Sequence, residues 1–133
     1  MDLARSKRMR LHNPCRLPVG EARIRSYYGD YKRTSKHNDR VFEITLDEFK
    51  ELALSDCHYC GVPPCRPYKP SKIKFNGHLM VNGIDRKDSS IGYVRGNCVP
   101  CCTDCNSAKM KMGYEQFRAH IVRIYHHFAS GAF

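Results

Sequence analysis

No stretch of the 133 residues is apolar for long enough to span a bilayer, and no apolar segment follows the positive start Met1-Asp2-Leu3-Ala4-Arg5-Ser6-Lys7-Arg8 as a secretory signal requires. Those absences argue against membrane-spanning and secreted proteins and lead us to expect a soluble chain of the cytoplasm, in a bacterial or phage-infected cell. Internal repeats and low-complexity tracts are missing too, and this length leaves little chain for a second core. The scarcity with most consequence is of negative charge: 13 Asp and Glu stand against 23 Lys and Arg, a net charge of +10. Such an excess suits a polyanion, because phosphates neutralised by protein release their condensed counterions. Charge alone does not separate DNA, RNA and anionic lipid, nor any of them from a basic surface that only keeps the chain soluble.

Eight cysteines would form a disulfide framework in a secreted chain, but here four of them fall into two C-x-x-C pairs. Cys57-His58-Tyr59-Cys60-Gly61 reads as a zinc knuckle: two residues between thiolates let the turn aim both sulfurs at one ion, and Gly61 permits the tight backbone after it. Cys102-Thr103-Asp104-Cys105 supplies the second knuckle. The expected structural site is therefore a closed, tetrahedral Zn2+ held by Cys57, Cys60, Cys102 and Cys105. Cys65 is a spare thiol, and Cys101 would give a less common spacing.

Around this framework the chain reads as α+β. Residues 1–20 are basic and carry Pro14 and Pro18, which suggests either a DNA-contacting arm or a disordered tail, ahead of a single domain over 21–133. A helix is expected over about Glu21–Lys36, with Ile24, Tyr28 and Tyr31 on one side and the nucleic-acid-binding candidates Arg25, Lys32, Arg33 and Lys36 among its cations; a solvated basic face is the competing reading. Val41–Ile44 alternates like a short strand. Thr45 and Glu48 then form a capping box for a helix burying Leu46, Phe49 and Leu52. Strands are expected over His78–Ile84 and about Asn97–Pro100, then a helix over Asn106–Met112. A last helix over 114–128 repeats Phe117, Ile121, Ile124, Tyr125 and Phe128 at helical spacing, which we read as core, with His126 and His127 at its exposed end.

Zinc at the second knuckle would hold Asn106, next to Cys105, in place. Asp85 ends the first strand, across the hairpin from Asn106. Together they offer two hard oxygen ligands with room for water and a phosphate oxygen, as Mg2+ or Mn2+ prefers. The plainer alternative is that Asp85 caps the turn and Asn106 N-caps its helix.

From Cys57 to Lys109 the motifs resemble the zinc-containing HNH nucleases, the ββα-metal fold, of the phage recombination endonuclease VII kind. Asn82-Gly83-Ile84-Asp85-Arg86, Asn97, and Cys102-Thr103-Asp104-Cys105-Asn106 with Lys109 carry the likeness, with the zinc and ββα core over 57–112. The resemblance implies that Asp85 and Asn106 bind a divalent ion, that Asn97 pins the loop between the strands, and that the substrate is duplex or branched DNA. Arg86 stands where the family has a water-activating histidine. An arginine stays protonated, so it cannot be a general base, although it can brace a phosphoryl group. The Asp-Arg form is similar to that of small, zinc-bearing, rare-cutting HNH restriction enzymes, which act as homodimers. Candidates for the missing base are His78, His37, Tyr28, Tyr31 and Tyr59, and Lys109 is a candidate phosphate contact. The expectation is a DNA endonuclease; a non-cleaving DNA-binding module and an RNA-binding zinc protein are the alternatives.

Overall fold

A computed structural model describes residues 20–69 and 78–131. In chain order these form α1 (Glu21–His37), α2 (Leu46–Ala53), β1 (Arg66–Pro67), β2 (Met80–Val81), β3 (Gly83–Arg86), β4 (Cys98–Cys101), α3 (Thr103–Lys109) and α4 (Tyr114–Ala129). The arm expected over residues 1–20 lies outside the described residues except for Gly20. No helix of the described residues is long and apolar enough to cross a membrane.

The core lies where α1 and α2 pack on each other and α2 packs on the β3–β4 hairpin. Phe49 of α2, fully buried, is met edge-on by Tyr27, Tyr28 and Tyr31, with ring centroids 5.2, 5.3 and 5.2 Å away. Ile24, Ile44, Ala53, Val81 and Ile84 close around them. Aromatic residues at helical spacing thus let one face of α1 cover the sheet while Lys32 and Lys36 stay exposed. The capping box forms as expected: Glu48 N–H donates to Thr45 Oγ1 at 3.2 Å, and Thr45 N–H donates to Glu48 Oε2 at 2.8 Å.

Several elements depart from the sequence reading. The strand expected over His78–Ile84 is interrupted at Asn82, which is buried and turns its hydrogen bonds toward the segment after α2. Its N–H donates to the Ala53 carbonyl, and its Nδ2 to the Ser55 and Val62 carbonyls at 3.0 and 3.3 Å. The interruption splits the run between two partners: β2 pairs antiparallel with β1, and β3 with β4. Val41–Ile44 forms a single bridge, Phe42 to Tyr93, rather than a strand. α3 begins at Thr103, three residues before the expected start, because the Cys102 sulfur accepts the Cys105 N–H and acts as the cap. Asn106 therefore sits within the helix and does not N-cap it.

The stripe on α4 is also not core. Phe117 is buried against Tyr59, but Ile121, Ile124, Tyr125 and Phe128 are all substantially exposed. Helical periodicity identifies an apolar face; it does not supply an element to cover it.

Among the described glycines, Gly92 has the least room for a side chain. A Cβ there would lie 2.3 Å from the Val41 carbonyl oxygen, which is backbone and cannot swing aside. Gly92→Ala is therefore expected to push Val41 off the hairpin loop and cost about 1–3 kcal/mol, read as a lower urea midpoint.

Candidate active site beside a four-cysteine cluster

The first knuckle is a turn closed by Gly61, whose N–H donates to the Cys57 carbonyl at 2.8 Å and whose φ of 76° is one that other residues rarely adopt. His58 N–H donates to the Pro100 carbonyl, which ties the knuckle to β4. The second knuckle straddles the start of α3. These anchors bring the sulfurs of Cys57, Cys60, Cys102 and Cys105 within 4.8 Å of one another. Cys60 and Cys102 Sγ are 3.7 Å apart. A zinc bound at about 2.3 Å by four thiolates needs sulfur–sulfur edges of about 3.8 Å, so the cluster fits a tetrahedral zinc ion. Burial opposes ionisation of Cys57, but N–H groups of Cys102, Cys60 and Tyr59 outweigh it and bring its pKa down to about 6. Cys65 is exposed and Cys101 is buried, and neither belongs to the cluster. Burial and the nearby Asp85 carboxylate push the Cys101 thiol well up.

Against this cluster, α1, β3, the loop after β3 and α3 enclose a cleft of about 420 Å³. Asp85, Arg86, Asn106 and Lys109 all line it. Asp85 is paired with Val99 and is 7 % exposed, so β4 and the knuckle hold it from behind. Tyr59 Oη donates to Asp85 Oδ2 at 2.7 Å. Lys109, one turn beyond Asn106, is 1 % exposed and places Nζ 3.3 Å from Asp85 Oδ2 and 3.2 Å from the Arg86 carbonyl. The buried ammonium thus faces the carboxylate at the lining of the cleft. Arg86 is fixed by Nη1, which donates to the Ser89 and Ile91 carbonyls at 2.8 and 3.2 Å, and its guanidinium lies 5.4 Å from the Tyr93 ring centroid.

Asn97 lies behind the cleft. Its Nδ2 donates to the Asp88 and Gly92 carbonyls at 3.1 and 3.0 Å, and its Oδ1 accepts the Asp88 N–H at 3.0 Å, bonds that close the β3–β4 loop. Among the five candidates for a base, Tyr59 is the one whose hydroxyl reaches Asp85. Burial, then the bond to Asp85, pushes its phenol well above the ordinary tyrosine range. Tyr31 lines the cleft, but its hydroxyl accepts the Ile84 N–H at 3.0 Å and burial also pushes its pKa up. Tyr28 Oη donates to the Ile44 carbonyl. His37 and His78 are exposed and do not line the cleft.

The four cations expected on α1 are exposed, and none lines the cleft. Arg25 pairs with Glu21, Arg33 with Asp30, and Lys32 lies over Tyr28. The cleft instead receives Arg40, from just after α1, and Arg66, from β1, two arginines that the sequence reading passed over. Neither has a motif around it, and only the tertiary pairing of β1 with β2 brings Arg66 here.

A short antiparallel hairpin followed by a helix, beside a four-cysteine cluster, gives this α+β chain a ββα arrangement. The chain is similar to the solved structure of the rare-cutting HNH restriction endonuclease PacI, with a TM-score of 0.55 and 20 % identity over 80 % of this chain and 81 % of that one. At that identity the likeness is one of fold. In sequence it is 33 % identical over 101 residues to the uncharacterized protein R423 of Acanthamoeba polyphaga mimivirus. That match takes in 76 % of this chain and 17 % of the viral protein. No family model matches the chain.

Proposed function

We propose that this protein is a metal-dependent HNH endonuclease that hydrolyses phosphodiester bonds of DNA. The observation that carries the reading is the convergence of Asp85, Arg86 and Asn106 in one cleft beside the four-cysteine cluster. Asp85 and Asn106 offer hard oxygen donors and are the residues that would hold Mg2+ or Mn2+. A bound divalent cation would polarise the phosphate and stabilise the leaving 3′ oxygen. Arg86, immobilised on two loop carbonyls, braces the phosphoryl oxygens without needing to reorganise. Tyr59 does not itself line the cleft, but its hydroxyl donates to Asp85 Oδ2, and that bond supports it as the group that would hold or move a proton in place of the histidine.

Within HNH proteins we favour the restriction-enzyme form over the endonuclease VII form, because the Asp85-Arg86 pair and the likeness to PacI point the same way. One cleft of this size serves one strand, so a double-strand break calls for a homodimer or two successive cuts. The second reading, a non-cleaving DNA-binding module, is favoured by one observation: among the described residues no histidine lines the cleft. Nicking of plasmid DNA by zinc-loaded protein separates the two. Cleavage is expected with Mg2+ or Mn2+ and not when neither is added to the zinc-loaded protein, and Tyr59→Phe is expected to lower the rate about 10²-fold or more with DNA binding kept. Tight, salt-sensitive binding with no cleavage by either ion would select the second reading.

A further inference from the structure

Arg40, Arg66 and Arg86 reach the mouth of the cleft from three separate parts of the chain. Arg66 differs from the other two in what holds it. Its Nη2 donates to Tyr27 Oη at 2.7 Å, and its guanidinium carbon lies 5.7 Å from the centroid of that ring. Tyr27 is 4 % exposed, and its hydroxyl points on to the Asn82 carbonyl at 3.3 Å and to Tyr31 Oη at 3.5 Å. Tyr31 Oη in turn accepts the N–H of Ile84, the residue before Asp85. The Arg66 backbone is itself paired with Val81, which is fully buried. A buried phenol and a half-buried one therefore connect a cleft-lining guanidinium to the strand that carries Asp85.

Among the described residues no carboxylate forms an ion pair with Arg66. Its hydrogen bond goes to a neutral phenol, and Asp30, the other carboxylate lining the cleft, is engaged by Arg33 and by the Tyr68 hydroxyl. Ordering an arginine side chain costs up to about 2 kcal/mol of rotamer entropy, which the bond to Tyr27 offsets in advance of any ligand. A guanidinium held in this way keeps a flat face of donors matched to a phosphate.

We propose that Arg66 is a phosphate-anchoring residue. It grips a backbone phosphate of the bound strand beside the scissile one, and the Tyr27–Tyr31 connection fixes the distance from that phosphate to Asp85. Arg66 would thus decide which phosphodiester enters the site, a positioning role rather than a catalytic one. The inference rests on the nucleic-acid reading of the cleft, but it can be tested without cleavage.

The test is binding of a labelled DNA duplex by zinc-loaded full-length protein with Ca2+ in place of Mg2+ and no chelator, measured as log affinity against log salt. Arg66→Ala is expected to weaken binding and reduce the magnitude of the salt slope by about one. Tyr27→Phe keeps the charge and removes the hydroxyl, so it is expected to leave the slope unchanged while lowering affinity several-fold. Arg66→Lys is expected to restore the slope and not the full affinity, which keeps the test valid should the alanine variant fold poorly. With Mg2+ present, Arg66→Ala is further expected to spread the cut over neighbouring phosphodiesters. If Arg66→Ala and Arg66→Lys both match the parent in affinity and slope, the anchor is overturned. A parent that binds but never cuts would remove the nuclease reading and leave the slope comparison to decide on Arg66.

Discussion

Cys105→Ser protein is expected to lose its bound zinc and its cooperative folding together. Cys105 is the sulfur within α3, next to Asn106, and the cluster cross-links two knuckles that more than forty residues separate. The local structure around it gives little independent support: β3 and β4 are four residues each and α3 has seven. Helices this short do not persist alone in water. Structural zinc contributes about 10–16 kcal/mol in finger peptides, against a total stability of about 5–15 kcal/mol for a whole domain, so removing it exceeds what the rest of the fold can supply. Zinc content by atomic emission and thermal unfolding by circular dichroism check this. Cys65→Ser is the control, since an exposed thiol outside the cluster should change neither reading. A Cys105→Ser protein that holds no zinc and still melts cooperatively near the parent temperature would refute the structural role.

The second large effect is expected at Lys109. Its ammonium and the Asp85 carboxylate are both almost removed from solvent, and each is the other's charged partner in the described structure. Taking away one member of such a pair leaves a buried charge without compensation, at a cost of about 3–5 kcal/mol. Lys109→Met, which keeps most of the side-chain length, should therefore lower the urea midpoint sharply. Lys109→Met combined with Asp85→Asn should recover much of that loss, because the amide can still hydrogen-bond and no longer carries a charge. A double variant no more stable than Lys109→Met would show that packing, not charge, keeps the lysine in place. The same pair bears on cation binding: Lys109 neutralises Asp85 in the resting protein, so Lys109→Met is expected to tighten Mn2+ at the cleft as it weakens the fold.

Local signals were legible in the sequence. The two knuckles could be read because ligand spacing is set by turn geometry within four residues, and the Thr45–Glu48 box because its two hydrogen bonds join residues three apart. The Asp85 and Asn106 juxtaposition came through the family pattern. What escaped depends on partners distant in the chain. Asn82 breaks a strand because Ala53, Ser55 and Val62 take its hydrogen bonds, and nothing near Asn82 reveals that. The α4 stripe has the period of a core helix, yet period says nothing about whether the fold reaches far enough to cover Ile121 or Tyr125. Lys109 was placed near the site as a candidate phosphate contact, but its burial against Asp85 follows from how α3 lies against β3 and has no local signal. Tyr59 was one of five candidate bases that the sequence could not rank, and its hydrogen bond to Asp85 sets it apart only once the knuckle is folded.

The most direct test of the account is cleavage of supercoiled plasmid by zinc-loaded parent and Asp85→Ala proteins, with Mg2+ or Mn2+ at fixed salt and DNA binding measured alongside. The account predicts nicking or linearisation by the parent, and a loss of about 10³-fold or more in Asp85→Ala protein that still binds DNA. Equal cleavage by the two proteins would contradict it, because the carboxylate at the centre of the cleft would then have no part in the chemistry.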